Sequence, residues 1–207
     1  MVSDMKLLHV GCGINTKANS TDIFSGSEWE ETRLDIDENV KPDIVSSITD
    51  MSVVEDNSFD AVYSSHNIEH LYAHEVPLAL KEFRRVLNDN GIVLIRCPDL
   101  ETIAQHIVDG NVVDPMYESP AGPVAPIDAL FGMRRFIIEN EYMAHKVAFN
   151  SKLITGTLKQ AGFKSVYCLR FIYGAELFTL GSVYEAYEDD LDKLLRSHLK
   201  SRLGNNW

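Results

Sequence analysis

The sequence predicts a doubly wound α/β fold, with seven strands in a mostly parallel sheet, an antiparallel last strand and helices on both faces. Short apolar runs alternate with polar or helical segments, a pattern typical of such sheets. The first run, residues 6–10, ends in Gly11-Cys-Gly13, and Asp35, Asp50 and Ser65-His66 each follow a later run. Because doubly wound sheets bind ligands at the carboxyl ends of their strands, we expect one rim of the sheet to hold all of these residues.

Each strand is predicted from a short run of apolar residues. The runs lie at residues 6–10, 32–36, 43–46, 58–64, 92–97, 163–171 and 175–180. The fourth contains Phe59, Ala61, Val62 and Tyr63, the nearly continuous apolar character of a strand that is buried on both faces. The last two runs flank Gly174 closely enough to pair antiparallel.

Three of the connections predict well-defined helices. Apolar residues at helical spacing predict a helix over residues 75–87, and Asn88-Asp-Asn-Gly91 supplies a stop after it. A second helix is predicted from the capping residue Asp99 to residue 108. A third is predicted over residues 151–161, and Gly162 closes it.

Other segments depart from this alternation. Residues 14–30 are polar and predict at most a short helix. Residues 109–148 contain four closely spaced prolines followed by aromatic residues, which predicts an insertion, part loop and part helix, that covers the substrate as a lid. The polar tail from about residue 183 is predicted to be helical. We expect residues 1–207 to form a single domain with these two additions.

Composition narrows the classes of protein. With 207 residues, 45% of them hydrophobic, and a formal net charge of -12, the chain can bury a sizeable core, and the charge disfavours binding to nucleic acid. No apolar run approaches the roughly 20 residues of a membrane span, and residues 1–6 lack the features of a signal peptide. We therefore expect a cytoplasmic protein without membrane partners. Cys12, Cys97 and Cys168 are widely spaced, so neither a disulfide framework nor a metal site is expected.

The Gly-x-Gly turn followed by Asp35 outlines a site for a nucleoside. Two glycines directly after a strand allow a sharp turn and close approach of a ligand, and a carboxylate can accept hydrogen bonds from both ribose hydroxyls. Thr16 stands where a dinucleotide fingerprint has its third glycine, which argues against a pyrophosphate cradle. The alternative, from these residues alone, is a glycine-rich turn with an unrelated surface aspartate.

Several motifs, in order, resemble the class I S-adenosylmethionine-dependent methyltransferases, particularly a small branch whose first strand reads like KLHLGCG. The matching segments are KLLHVGCG, LDID, KPDIVSSITDM, SFDAVYSSHNIEHL, ALKEFRRVLNDNGIVLIRCPDL and HKVAFN, within about residues 5–172. The resemblance implies a Rossmann-like sheet, S-adenosylmethionine as the methyl donor and S-adenosylhomocysteine as the product.

The resemblance also implies which residues bind the cofactor. They are Gly11, Cys12, Gly13, Asp35, Ile36, Asp50, Met51, Ser65 and His66. The glycine turn would lie under the methionine part, Asp35 would bind the ribose hydroxyls, and Ile36 would pack on the adenine. Asp50 would hydrogen-bond the adenine amino group with Met51 alongside. Ser65 and His66 would border the cofactor near the methyl donor.

Histidines are the candidate catalytic residues. Methyl transfer from a sulfonium is an in-line displacement that depends mainly on alignment, so a base is needed only for a protonated acceptor. His66, His70 and His145 are candidates because imidazole titrates near neutral pH. His66 and His145 are the two we predict to be catalytic, and His145 follows the insertion that should roof the pocket. The predicted acceptor is a small molecule, such as a sugar or another polar metabolite.

Two other functions remain open from the sequence. His66-Asn-Ile-Glu-His70 matches the His-x-x-Glu-His motif of inverted zinc peptidases, which requires a long helix and a distant acidic third ligand. A protein that binds S-adenosylmethionine without catalysis, as a regulator or a partner subunit, is also compatible with the sequence. Exposed aromatic residues in the insertion could meet a second copy, which leaves a homodimer open.

Overall fold

The computed structural model describes residues 5–203, whose centre is one seven-stranded sheet. The strands among the described residues are β1 Met5–Val10, β2 Trp29–Asp35, β3 Ile44–Val45, β4 Phe59–Ser65, β5 Leu87–Pro98, β6 Tyr117–Ser119, β7 Gly122–Val124, β8 Ser165–Phe171 and β9 Glu176–Ser182. Within the sheet the order is β3-β2-β1-β4-β5-β9-β8. The first five pair in parallel, and β9 lies antiparallel between β5 and β8. The predicted fold class is therefore confirmed, and the antiparallel last strand is an internal one.

Helices cover both faces of the sheet. They are α1 Lys17–Ser20, α2 Val76–Val86, α3 Leu100–Val108, α4 Pro126–Phe131, α5 Arg134–Ile137, α6 Ser151–Gln160 and α7 Glu188–Leu203. Successive side chains of β4 point to opposite faces, so Val62 packs in the core with α2 and α6, whereas Tyr63 packs in the core with α7. No helix within residues 5–203 is both long and apolar enough to cross a membrane.

The predicted stop at Asn88-Asp-Asn-Gly91 takes a different form in the structure. Helix α2 ends at Val86, and β5 begins at once with Leu87, so the four residues lie inside the strand instead of between two elements. Pairing moves from Leu87 to Ile92 on β5 while β4 advances only from Phe59 to Ala61. The extra residues therefore form an irregularity at the start of β5, which local turn residues alone do not distinguish from a loop.

The insertion contains an antiparallel hairpin, β6 and β7, as well as the short helices α4 and α5. The sequence predicted loop and helix there but no strands, because the closely spaced prolines argue against strand pairing. A small apolar cluster joins the insertion to α3 and to the start of β9: Ile103, Val124, Ala129 and Ala175. The insertion is thus packed onto the carboxyl ends of β5 and its neighbours.

The tail helix α7 begins at Glu188, after the predicted start of the tail at about residue 183. Leu191 and Leu195 are buried in the same apolar cluster as residues of β8 and β9, so the helix covers one face of the sheet at that end. Residues 1–4 and 204–207, which belong to the predicted single domain, lie outside the described residues.

Candidate functional site

The glycine turn follows β1 in a left-handed backbone conformation. Gly11 and Gly13 have φ values of 58° and 54°, a region that favours glycine. A Cβ on Gly11 would lie 2.2 Å from Cγ of Asn67, whereas one on Gly13 would meet no atom within 4 Å. Nδ2 of Asn67 is buried without a hydrogen-bond partner. Cys12 is buried, and this burial raises the pKa of its thiol to about 11, so it is protonated at neutral pH.

Asp35 links the glycine turn to the loop after β2. Its Oδ2 accepts a hydrogen bond from the Gly13 amide at 2.7 Å, and its Oδ1 accepts one from the Asp37 amide at 2.9 Å. Arg33 holds the same turn, because its Nη2 donates to the Gly13 carbonyl at 2.6 Å. Each carboxylate oxygen can accept more than one hydrogen bond, so Asp35 retains acceptor capacity for ligand hydroxyls. Ile36 beside it is 51% exposed, which leaves an apolar surface for a ring.

The loop after β3 is held by the end of α2. The Met51 amide donates to Oε2 of Glu82 at 2.7 Å, and the Met51 carbonyl accepts from Nη2 of Arg85 at 2.8 Å. The Met51 side chain is fully buried in the core. Asp50 is exposed, and its Oδ1 accepts from the Ser52 amide at 3.2 Å. Of Asp50 and Met51, the two residues of this loop that are predicted at the adenine, only Asp50 presents its side chain at the surface.

His66 directly follows Ser65, the last residue of β4. Its Nε2 lies 2.5 Å from Oε1 of Glu176, and its Nδ1 lies 3.3 Å from Oε1 of Glu69. Desolvation lowers the pKa of His66, but hydrogen bonds to the two glutamates and their charges outweigh it and raise the pKa to about 9. The ring is therefore protonated at neutral pH and cannot accept a further proton there.

Arg96 and Glu176 are site residues that the sequence analysis missed. Nη2 of Arg96 donates to both carboxylate oxygens of Glu176, at 2.9 and 3.0 Å. Burial alone raises the pKa of Glu176, but the Arg96 charge and the His66 hydrogen bond lower it to about 2. The only signals in the sequence are a single arginine within the apolar run 92–97 and a glutamate in the apolar run 175–180.

Glu69, His70 and His145 form a second group at this rim. Each can contribute one ligand atom, and the three atoms lie within 4.8 Å of one another. Glu69 and His70 belong to the 3-10 turn Ile68–His70 that follows β4, whereas His145 ends the insertion. The Lys146 amide donates to the Glu69 carbonyl at 2.8 Å and so fixes one segment to the other. The structure therefore brings His145 close to the strand end that carries His66.

The charge states of these side chains separate the two predicted catalytic histidines. Desolvation lowers the pKa of His145, so its imidazole is neutral at physiological pH, in contrast to His66. Nδ1 of His145 lies 2.9 Å from the Ala129 carbonyl, which can only accept a hydrogen bond. Nδ1 therefore carries the proton, and Nε2 keeps a free lone pair.

The insertion also places an aromatic residue near the carboxyl ends of the strands. Tyr117 of β6 is partly buried, and burial together with the charge of Glu176 raises the pKa of its hydroxyl to about 12. Tyr142, which also lies in the insertion, is 55% exposed.

The inverted zinc-peptidase alternative requires a helix that the structure does not form. The motif lies in a loop and in the single 3-10 turn Ile68–His70. Both nitrogens of His66 face glutamates, so His66 and His70 do not converge on one point as the two ligands of that motif must.

The sequence and the fold were compared with known proteins. Residues 8–95 match the family model described as a methyltransferase domain, and no curated protein matches the chain. An S-adenosylmethionine-dependent methyltransferase from Archaeoglobus fulgidus is similar, with a TM-score of 0.58, 14% identity and 86% coverage of each chain. One from Aquifex aeolicus has a TM-score of 0.56 and 14% identity, covering 88% of this chain and 84% of its own.

A third similar structure contains ligands. It is the 1,6-didemethyltoxoflavin-N1-methyltransferase of Burkholderia thailandensis, with bound 1,6-didemethyltoxoflavin and S-adenosylhomocysteine. Its TM-score is 0.53 at 12% identity, covering 87% of this chain and 71% of its own. At sequence identities of 12–14%, the similarity to these three structures shows a shared fold.

Proposed function

Residues 8–95 form a methyltransferase domain of the class I S-adenosylmethionine-dependent family, and on this premise we propose that the protein methylates a small, polar acceptor. The observation that carries the proposal is the hydrogen bond between the Gly13 amide and Asp35, at the ends of the adjacent strands β1 and β2. It joins an open glycine turn to a carboxylate with remaining acceptor capacity. The two features together fit an amino acid attached to a nucleoside.

The proposed cofactor contacts follow from the shape and polarity of the rim. The space beside Gly13 would receive the methionine part, and the unpaired Nδ2 of Asn67 offers a donor near that turn. Asp35 would accept from the ribose hydroxyls while the exposed side chain of Ile36 packs on the adenine. Asp50 would take the adenine amino group, and Met51 would position this loop through its backbone.

The acceptor side of the proposed site lies at the end of β4 and under the insertion. When bound, S-adenosylmethionine supplies a methyl group on a sulfonium, which favours in-line transfer to a nucleophile. The chain therefore needs to align the acceptor and exclude water, and the insertion packs where it can do both. Since His66 is protonated at neutral pH, we assign it an orienting role, and the neutral Nε2 of His145, which keeps its lone pair, is the group on the acceptor side that can bind a proton or a cation.

A small, polar acceptor agrees with the charge of the chain and with the lining of the rim. A formal net charge of -12 disfavours a nucleic-acid backbone. Glu69, His70, His145 and Tyr117 provide hydrogen-bonding groups there. The Burkholderia enzyme, which has the same fold, is named for a small-molecule substrate, so the fold can accommodate one.

Replacing Asp35 tests the cofactor assignment. We expect Asp35→Ala to weaken binding of S-adenosylhomocysteine roughly 10- to 100-fold, because charge-assisted hydrogen bonds contribute about 1.5 to 3 kcal/mol. Isothermal titration of the purified chain measures the affinity, with NAD as a ligand that should not bind.

Asp60→Ala is the matched control. Asp60 also accepts a backbone amide hydrogen bond, from Lys6 at 2.7 Å, but it lies at the opposite end of the sheet. We expect this variant to bind S-adenosylhomocysteine as the wild type does. Equal affinities of folded Asp35→Ala and wild type would rule out the assignment of Asp35.

A further inference from the structure

We infer that Glu69, His70 and His145 bind a divalent transition-metal ion, Zn²⁺ being the first to test. One carboxylate and two imidazoles are ligands that such ions prefer, and a three-ligand set leaves positions open for substrate. Their ligand atoms lie within 4.8 Å of one another, close enough to converge on one ion. The rings of His70 and His145 are 4.9 Å apart between centroids and nearly perpendicular, at 73°.

The state of Glu69 is the second, independent observation. Its side chain is 1% exposed, and its Oε2 has no hydrogen-bond partner among the described residues. Among the described residues its one ion pair is with Nδ1 of His66, 3.3 Å from Oε1. A buried carboxylate oxygen without a hydrogen bond is costly, and a bound ion is a recognised way to satisfy such a group. A cation between Glu69 and the two histidines would give Oε2 a partner.

The hydrogen bonds of the two histidines prepare them to be ligands. Nδ1 of His70 lies 3.1 Å from the Ala144 carbonyl, and Nδ1 of His145 lies 2.9 Å from the Ala129 carbonyl. Because a carbonyl only accepts, both rings must carry the proton on Nδ1, which leaves a lone pair on each Nε2. Metal-binding histidines nearly always donate their other N–H in this way.

The surroundings leave room for an ion and set the group apart from His66. A cavity of about 10 Å³ is lined by Glu69 and His145 together with apolar residues such as Leu130 and Ile103. This space is about that of one water molecule, which is enough for a bare ion. Both nitrogens of His66 face glutamates, so His66 is not a ligand but an outer partner of Glu69.

The role of the ion rests on the proposed function. It would contact an acceptor hydroxyl and lower the pKa of that group, so that the proton passes to solvent. The oxygen then forms its bond to the methyl carbon as the carbon–sulfur bond breaks, and the sulfur keeps the electron pair. His145 would serve as a ligand in this arrangement and would not accept the proton. The acceptor class becomes a compound with a hydroxyl group.

Metal binding can be measured without cofactor or acceptor. Metal-free wild type is dialysed against ZnCl₂ and, separately, CoCl₂, and bound metal is counted while visible absorption reports the Co²⁺ site. We expect one equivalent, with affinity at least tenfold lower in Glu69→Gln and in His145→Gln. His74→Gln is the matched control, because His74 is exposed on the same connection and should bind as the wild type does.

Absence of one equivalent in the wild type, or unchanged affinity in folded Glu69→Gln, would overturn the inference. Circular dichroism checks that the variants fold. If they do not, nitrogen NMR of the wild type decides, because Zn²⁺ should shift Nε2 of two of the seven histidines and no shift contradicts the site. Titration of the same metal-free protein with S-adenosylhomocysteine tests the proposed function separately, so either hypothesis can fail alone.

Discussion

Gly11 lies directly against Asn67, a residue of the segment that follows β4, and this contact explains why the turn needs a glycine. The Gly-x-Gly motif predicts a sharp turn, but it does not show what the missing side chain makes room for. In the structure the backbone conformation and the neighbouring amide both exclude a Cβ. The glycine therefore serves the packing of two strand ends as well as the space for a ligand.

Replacing Gly11 by alanine, and comparing the result with the same change at a glycine in a helix, tests whether the left-handed backbone and the Asn67 contact require a glycine. We expect Gly11→Ala to lower the free energy of unfolding by at least about 1 to 2 kcal/mol, because the left-handed backbone and the Asn67 contact oppose a side chain. Gly156→Ala, within α6 and without any atom near the added Cβ, should instead raise it by about 0.5 to 1 kcal/mol. Urea unfolding measures both, and equal effects would contradict the explanation.

The proximity of candidate site residues was predictable where a local pattern marks them. Gly11, Gly13 and Asp35 follow predicted strands, and parallel strands bring their carboxyl ends together, so their proximity could be foreseen. The contacts of Arg96 with Glu176, and of Glu69 with His145, join residues about 80 positions apart without any motif. Such pairs depend on how the insertion and β9 pack, which periodicity does not reveal.

Helix α2 directly contacts the loop after β3, the proposed adenine loop, although the two are far apart in the sequence. Arg85 donates to the Met51 and Val54 carbonyls, each at 2.8 Å, and also pairs with Glu82 and Asp56. Glu82, one turn earlier, accepts from the Met51 amide. The side chains in the last turn of α2 thus hold this loop in two ways. They form hydrogen bonds to its backbone, and Arg85 pairs with the charge of Asp56.

The variant Arg85→Ala tests these contacts between α2 and the loop. We expect a loss of about 1 to 3 kcal/mol in the free energy of unfolding, because two carbonyls and two carboxylates lose their donor, and a weaker affinity for S-adenosylhomocysteine. Lys81→Ala on the exposed side of α2 should change the stability by less than about 0.5 kcal/mol. Denaturant unfolding with parallel titration compares them, and an Arg85→Ala variant as stable as Lys81→Ala would show that the loop holds itself.

Strand and helix types were largely predictable from the sequence, whereas their limits were less so. The spacing of Val76, Leu80 and Phe83 correctly indicates α2, and those residues are buried. Strand β2 begins at Trp29, earlier than predicted, because pairing with Met5 of β1 extends it through polar residues. The β6–β7 hairpin was missed because Pro123 lies within it, at a position that tolerates proline in a two-stranded edge.

The parallel and antiparallel parts of the sheet are joined at its centre by one charged network. Arg96 of β5 pairs with Glu176 of β9, and Glu176 pairs with His66 after β4. The network therefore joins β4, β5 and β9, which are neighbours in the sheet, at their common rim. Its charges also make the stability of the whole chain depend on pH.

Acid should unfold the protein partly through Glu176. Its pKa is about 2 in the folded state, well below the ordinary value, so its stabilising contribution is complete above about pH 4.5 and is lost as the pH falls toward 2. That contribution is roughly 2 to 4 kcal/mol. We expect Glu176→Gln to be less stable at neutral pH and to lose less stability in acid, with Glu30→Gln, an exposed strand residue, as control. Identical pH profiles of wild type and Glu176→Gln would refute this.

Hydrogen bonds join the two ends of the segment that contains the insertion. The Leu100 amide donates to the Phe149 carbonyl at 2.8 Å, and Nδ2 of Asn150 donates to Oε1 of Glu101 at 2.9 Å. The segment between these points thus leaves and rejoins the sheet at nearly the same place. Loop-closure entropy rises only slowly with chain length, so residues could be added or removed there with little effect on the cofactor side. Under the proposed function, changes confined to that segment would therefore alter the choice of acceptor and leave the cofactor side of the fold in place.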